Sequence, residues 1–220
     1  MLLFLIRHGE STQNNGENYE HRLPDHTVPL SATGHIQADE AGVFLRNFID
    51  TGLGIVRPRI RLWCSPYMRT RQTADHIEEH IKDLIVDRRE HVNLVERQWG
   101  LYDGLTDEEM KTLYPRESEH YYRCREHQGT FWAHPPLGES SFDVALRVHQ
   151  MFGTLHRDYD KSCIWTNVIV THGTTMRAFV MQWLHKDPEW LSGNQIHQIV
   201  PYGSLTKIPT TDTSSLHKRM

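Results

Sequence analysis

What limits the fold most is the spacing of three largely apolar runs, Leu2–Ile6, Ile60–Cys64 and Ile164–Thr171, each ending abruptly in a polar turn. Short continuous runs of this kind suit strands of a parallel sheet that is covered on both faces. The stretches between them carry helical periodicity instead. Ser31 can cap a helix over about 32–49, with Ile36, Ala41, Phe44, Leu45 and Phe48 lining one stripe. Ser65-Pro66 reads as an N-cap with proline at the first helical position, opening a helix that runs to about Ile81. A short strand near Val92–Val95 leads to Glu96, and Thr106-x-x-Glu109 is a capping box for a short helix that Pro115 ends. A long helix over roughly 141–159 presents Phe142, Ala145, His149, Phe152 and Leu155, and residues 174–185 form the next one. Ile199–Ile208 should add a last strand or two before a frayed polar tail from Pro209.

Strand and helix therefore alternate. The expected class is α/β, a three-layer α/β/α sandwich with a mostly parallel central sheet. At roughly 150 residues per domain, the 220 residues make a single domain, 1–220, with an insertion at about 97–140 that lacks a strong strand and is rich in aromatics. Residues 9–30 read as a long polar loop, a length that usually marks function or disorder.

Charge narrows the partners. Twenty-four basic and 28 acidic residues give −4, and the 16 histidines, each about a quarter protonated at pH 7, bring the net close to zero. No standing basic field exists to recruit nucleic acid or an anionic membrane. Cys64, Cys124 and Cys163 are far apart and form no Cys-x-x-Cys pair, so reduced thiols are expected. Leu2–Ile6 is too short for a signal-peptide core, and no run approaches the ~20 apolar residues of a membrane span. A cytoplasmic protein is the expectation. No His-Glu-x-x-His or similar ligand pattern is read, so neither a metal nor a cofactor is expected, and His76, His80, His149 and His185 are taken as surface residues.

In open α/β sheets, ligands sit outside the carboxyl ends of strands. The strands here run out into Arg7-His8-Gly9-Glu10, Ser65 with Arg69 a turn later, Glu96, and Thr171-His172-Gly173. Two guanidiniums and a second imidazole around one histidine make a pocket for a phosphate dianion, which arginine binds bidentately. The helix starting at Gly173 would add backbone N–H groups. Neighbouring cations should hold His8 neutral, a competent nucleophile toward phosphorus, and Gly9 could give its carbonyl to the ring N–H and fix the tautomer. Glu96 is the acid placed to protonate a leaving alkoxide. Each feature has a plainer explanation alone: a tight turn for the Arg-Gly and His-Gly sites, a solvated helix face for Arg69 or Arg71, a weak surface pair for Glu96 and Arg97. Four strand ends bearing phosphate-compatible groups together are hard to explain by packing.

Arg7-His8-Gly9-Glu10-Ser11-x-x-Asn14 resembles the signature of the histidine phosphatase superfamily, phosphoglycerate mutase-like branch. Ser65-Pro66-Tyr67-Met68-Arg69-Thr70-Arg71-Gln72-Thr73-Ala74 is similar to its second motif, and Leu94-Val95-Glu96-Arg97-Gln98-Trp99-Gly100 to its proton-donor segment. Pro136-x-Gly138-Glu139-Ser140-x-x-Asp143-x-x-x-Arg147 and Val170-Thr171-His172-Gly173 complete the order over residues 2–185. The resemblance implies a phosphohistidine on His8. Arg7, Arg69 and His172 would be the charge pocket, Asn14 a further phosphate contact, and Glu96 acid then base.

The family's mutases carry Glu-Arg-His-Tyr-Gly and a longer insertion, whereas this chain reads Glu96-Arg97-Gln98-Trp99-Gly100. The Arg22-x-Pro24-Asp25-His26-x-x-Pro29-Leu30 stretch resembles mutase-like members. Phosphomonoester hydrolysis of a small phosphorylated substrate is therefore favoured. The alternatives are a cofactor-dependent phosphoglycerate mutase and, ranked last, a non-catalytic module that binds a phosphorylated ligand. A homodimer is allowed for. The insertion could act as a lid whose aromatics stack on substrate while Arg116, Arg123 and Arg125 take a second anion. Against that, Tyr114, Phe131 and Trp132 could simply pack it onto the core.

Overall fold

The computed structural model describes residues 1–14, 23–52, 58–192 and 205–208. Five strands form one sheet: β1 (Leu2–Arg7), β2 (Ile60–Cys64), β3 (Ile85–Glu90), β4 (Thr166–Thr171) and β5 (Leu205–Ile208), in the order β3-β2-β4-β1-β5. Neighbours among the first four run parallel, and β5 closes the edge antiparallel to β1. All five residues of β2 and all six of β4 are buried, as continuous runs in a doubly covered sheet must be.

Alternation along β1 divides the core. Phe4 and Ile6 point to one face, where they meet Ala41, Leu45 and Ile49 of α1 (Ala32–Gly52) and Ala74, Ile77 and Ile81 of α2 (Met68–Ile81). Leu3 and Leu5 point to the other, among Val144, Val148 and Met151 of α5 (Ser141–Ser162) and Met176 and Phe179 of α6 (Gly173–Trp183). The expected three-layer α/β/α architecture follows from these two clusters. Between β3 and α5 lie α3 (Asp107–Leu113) and α4 (Pro115–Gln128), and α7 (Pro188–Ser192) comes after α6.

Several boundaries and faces differ from the sequence-based expectation. Ser31 does accept the Gly34 N–H at 3.0 Å as a cap, but Ile36 and Phe44 face outward, and the inner stripe is Ala38, Ala41, Leu45 and Ile49. In α5 the inner row is Val144, Val148, Met151 and Leu155, with Phe142 and His149 exposed. Ala41, Leu45, Ala145 and Leu155 are buried as expected, but Ile36, Phe44, Phe142 and His149 are not, because a helix with apolar residues on its outer face offers two stripes of the same period. The strand expected at Val92–Val95 lies earlier, at Ile85–Glu90, and Val92–Leu94 is a 3-10 turn. β3 is polar because ion pairs hold it. Arg61 grips Asp87 at 2.5 Å and also Asp158, Arg88 reaches Asp75 at 2.5 Å, and Glu90 takes Arg71 in a two-pronged pair at 2.7 Å. Pro115 does more than end a helix: it sits at the first position of α4, where a missing N–H costs nothing. The expected segment Ile199–Ile208 is described only at Leu205–Ile208; residues 199–204 and the tail from Pro209 lie outside the described residues.

One backbone contact sets the position of the pocket. A Cβ on Gly9 would stand 2.3 Å from the Gly34 carbonyl oxygen, and a Cβ on Gly34 would stand 2.0 Å from that of Glu10. The loop leaving β1 thus rests directly on the first turn of α1, main chain on main chain. Gly34→Ala should cost about 1–3 kcal/mol in urea unfolding, since neither partner can retreat. Gly153→Ala in α5, where a Cβ meets nothing within 4 Å, should be neutral or stabilise by about 0.5–1 kcal/mol.

Candidate active site

Parallel pairing brings the two key histidines together. Arg7 is in register with Thr171, and the His8 N–H donates to the Thr171 carbonyl at 3.0 Å. His8 and His172 therefore leave adjacent strands side by side, with ring centroids 5.1 Å apart. Both are buried, at 4% and 0% exposure. His8 Nδ1 lies 2.6 Å from its neighbour's carbonyl oxygen on Gly9. A carbonyl can only accept, so Nδ1 carries the hydrogen and Nε2 is left as a lone pair. Gly9 N–H in turn donates to Thr73 Oγ1 at 3.2 Å, and that hydroxyl donates to the Arg69 carbonyl at 2.8 Å. The loop that orients His8 is thereby tied to the first turns of α2.

Arg69 comes from that turn and is 5% exposed. Its Nη1 donates to the Asp25 carbonyl at 2.6 Å and to Asp25 Oδ1 at 2.8 Å, and its guanidinium lies 5.0 Å over the Tyr67 ring. The Arg7 guanidinium crosses Gly173, where a Cβ would come within 3.5 Å of its Cζ. His172 Nε2 is 2.9 Å from Ser65 Oγ, while its Nδ1 is buried with no partner among the described residues. Ser65 is thus not the expected N-cap. The helix begins at Met68 with Tyr67 before it, and Ser65 serves His172 instead.

Burial pushes both imidazoles well below the usual histidine range. For His8, Arg69 and then Arg7 add to the effect, while the Gly9 hydrogen bond opposes it. For His172, Arg69, His8, Arg147 and Arg7 all act in the same direction. The sequence points to the neighbouring cations as the cause; in the folded protein loss of water is the larger one, and the arginines come second.

Glu96 reaches the same edge of the sheet from the turn after β3. Its Oε1 accepts the Arg97 N–H at 2.8 Å and the Thr174 N–H at 3.2 Å, so one N–H of the first turn of α6 belongs to Glu96. Two hydroxyls hold the preceding backbone, Thr171 Oγ1 donating to the Leu94 carbonyl at 2.7 Å and Thr175 Oγ1 to that of Val95 at 2.6 Å. From the far side, the Gln98 N–H donates to Glu139 Oε2 at 3.0 Å, and Arg97 Nε donates to the Glu139 carbonyl at 2.7 Å. Arg147 closes the clamp on Glu139 with bonds of 2.9 and 3.1 Å. Ser140 and Asp143 form a capping box that starts α5 beside it.

The structure thus gathers Arg7, His8, Arg69, Glu96, His172 and Gly173 around one edge. Asn14 is different: exposed, it accepts from the Ser11 N–H at 3.1 Å and the Ser11 hydroxyl at 2.8 Å, which leaves its amide NH2 to donate. Sequence reasoning misses Asp25, Tyr67 and the Glu139–Arg147 pair as supports. All of them stand in stretches that carry the family resemblance, Asp25 in the Pro24-Asp25-His26 run, but the resemblance as read assigns them no role. His76 and His80 are half-buried between α1 and α2 rather than on the surface. In the insertion, Phe131 joins the main core, and Tyr114 backs a smaller cluster of Tyr102, Met110, Tyr121 and Ala133. Arg125 lies over Tyr121 and Tyr122, and Arg116 lines a cavity of about 450 Å³ with His120, Tyr121 and His134.

A profile of the histidine phosphatase superfamily, branch 1, matches residues 3–219. The chain is 32% identical to a phosphoglycerate mutase-like protein of Arabidopsis thaliana over 87% of its own length and 60% of that protein's. It is 31% identical to a 2,3-bisphosphoglycerate-dependent phosphoglycerate mutase of Gloeobacter violaceus, covering 91% of this chain and 83% of the relative. In fold it matches a mycobacterial glucosyl-3-phosphoglycerate phosphatase solved with VO3, at a TM-score of 0.68 and 24% identity over 94% and 90% of the two chains. The chain belongs to the histidine phosphatase superfamily. It spans less than two thirds of the length of the curated Arabidopsis relatives it matches. Among the described residues no helix is long and apolar enough to cross a membrane.

The buried neutral histidines should make the protein acid-sensitive. An unfolded histidine takes up a proton near pH 6.5, whereas His8 and His172 in the native state resist it to well below that value. Between those limits the unfolded chain binds more protons, so stability falls as pH falls, by at most about 1.4 kcal/mol per pH unit for each histidine. Urea midpoints measured from pH 7.5 to 5 should show this slope, and His172→Asn should flatten it.

Proposed function

We propose that the chain is a phosphomonoesterase that works without a catalytic metal, by way of a phosphohistidine on His8. The observation that carries this reading is the buried, uncharged His8 ring whose Nδ1–H is committed to the Gly9 carbonyl, so that only Nε2 can attack. Arg7, Arg69 and His172 supply the positive and hydrogen-bonding surroundings that a phosphate dianion needs. With the Ser65 hydroxyl donating to His172 Nε2, the ring's Nδ1 bears the hydrogen and is free to donate to a phosphoryl oxygen. The Asn14 amide NH2 and the Gly173 backbone are further contacts for the phosphoryl group.

In the first half-reaction an N–P bond forms at His8 Nε2 as the ester P–O bond breaks, and Glu96 gives its proton to the leaving alkoxide. Water then attacks phosphorus, the Glu96 carboxylate takes the water's proton, and the N–P bond breaks to free phosphate and neutral His8. Gln98 and Trp99, standing where the family's mutases carry His and Tyr, favour hydrolysis over mutase chemistry. So does Asp25, whose carboxylate already occupies one face of Arg69 and repels a second anionic group. A mutase remains the second reading, on the strength of the Gloeobacter relative. The three free cysteines suit a reducing, cytoplasmic setting.

Turnover of p-nitrophenyl phosphate should persist in EDTA, be inhibited by vanadate, and fall by at least about 10³-fold in His8→Ala together with loss of acid-labile phosphoenzyme. Turnover abolished by chelation would sink the metal-free mechanism. A coupled assay with 3-phosphoglycerate and 2,3-bisphosphoglycerate should show isomerisation slower than hydrolysis; the reverse selects the mutase.

The role of Glu96 has its own signature. Glu96→Gln should slow alkyl phosphates about 10²–10⁴-fold while sparing aryl phosphates whose leaving groups need no proton. Equal losses on both substrate classes would remove Glu96 as the acid.

A further inference from the structure

The facing sides of α1 and α2 carry a second group of chemistry-bearing side chains, drawn from other residues than those of the phosphate pocket. His76, Glu79 and His80 lie within one turn of α2, and Asp39 faces them from α1. One donor atom from each of Asp39, His76 and Glu79 lies within 4.8 Å of the others. We propose that this cluster binds a divalent transition-metal ion of the zinc type, held by Asp39, His76 and Glu79 and fastening α1 to α2.

The hydrogen bonding around His76 carries the inference. Its Nε2 is 3.0 Å from His35 Nδ1, and its own Nδ1 is buried with no partner among the described residues, 3.9 Å from Asp39 Oδ1. If Nε2–H donates to His35, Nδ1 presents a lone pair toward a carboxylate, two acceptors facing each other. If His35 donates instead, His76 holds an Nδ1–H that stops short of any acceptor. Either neutral tautomer leaves the space beside Asp39 and Glu79 without a positive charge, which a metal ion would supply. Bonding of one ring nitrogen to a neighbour while the other faces the ion is the usual way a metal-binding histidine is oriented.

The remaining partners steady the carboxylate. His80 Nε2 lies 2.7 Å from Asp39 Oδ1 and fixes one oxygen, which leaves the other for an ion. His80 can lie this close to α1 because residue 42 is glycine: a Cβ there would fall 2.4 Å from His80 Cδ2. Donors about 2.0–2.2 Å from zinc stand roughly 3.3–3.6 Å apart in a tetrahedron, so small side-chain rotations close the triad, with water completing four ligands. One imidazole and two carboxylates neutralise a dication and suit zinc, cobalt or manganese better than a soft monovalent ion. The proposal departs here from the expectation of no metal, for Asp39 comes from α1 while His76 and Glu79 come from α2, and a search for a local His-Glu-x-x-His string passes over such a group.

The site stands apart from the proposed reaction, and its test needs no turnover. The full-length chain, stripped with EDTA and dialysed, should bind one equivalent of Co²⁺ with visible d–d bands of tetrahedral character, and Zn²⁺ should displace it and raise the thermal midpoint. Asp39→Asn, His76→Gln and Glu79→Gln should each weaken Co²⁺ binding at least tenfold. Glu79 is exposed, so its variant folds in any event. His8→Ala and His149→Gln should bind as the wild type does. No stoichiometric Co²⁺ binding, unchanged affinity in Glu79→Gln and Asp39→Asn, or loss of binding in His8→Ala would each overturn the proposal.

Discussion

Removing water from two adjacent imidazoles is the constraint on which the rest of the structure turns. His8 and His172 are buried on neighbouring parallel strands, and burial more than any single charge keeps them neutral. A neutral ring must still find a partner for its N–H. For His8 that partner is the carbonyl of the next residue, which forces the loop after β1 into a shape that only close main-chain contact can support. Gly9 on Gly34, and Gly9 N–H on Thr73, provide it. The first turns of both helices on one face of the sheet are thus fixed by the needs of one imidazole.

The charged groups show the complementary pattern, for each is held by something other than the ligand it awaits. Arg69 is braced by Asp25 and the Tyr67 ring, and Glu96 by two backbone N–H groups. The Glu96 segment is further pinned by Thr171, Thr175 and the Glu139–Arg147 clamp. Under the proposed function, such bracing would let the groups face a phosphate without reorganising as charge develops, which is where electrostatic catalysis gains most. It also explains why the segment around Glu139 and Arg147, though distant in sequence from the strand ends, belongs with them. It holds the Glu96 segment in place, and under the proposed mechanism it would position the proton donor without reaching the reacting atoms.

Much of this is legible because a parallel sheet imposes a rule: residues just past the carboxyl ends of its strands gather at one edge. Arg7, His8, Arg69, Glu96 and His172 can be named from that rule together with the family resemblance. Legibility fails where ionic contacts replace apolar burial. β3 escapes its true place because Asp87, Arg88 and Glu90 carry its contacts, and nothing in a string of charges shows which partner each will meet. Asp25 is hidden for the same reason, since its role exists only once Arg69 is beside it. The stripes of α1 and α5 are only partly legible because outward apolar side chains such as Phe44 and Phe142 fit the helical period as well as inward ones such as Leu45 and Leu155 do. Ser65 misleads for want of tertiary context: before Pro66 a serine suits a cap, and only the crossing of β4 reveals His172 as its partner.

The α1–α2 pair joins these threads. Its N-terminal ends bear on the candidate site, Gly34 on the His8 loop and Arg69 beside it, and the histidine–carboxylate cluster lies further along both helices. Beneath them Ala41 and Leu45 share one core cluster with Ala74 and Ile77. Directional bonds between Asp39 and His80, and between His35 and His76, add contacts of fixed geometry to that non-directional packing. Gly34 and Arg69 sit in the first turns of the same two helices. Polar contacts between the facing sides of those helices therefore tie together the elements that carry the His8 loop and the Arg69 guanidinium, without touching either.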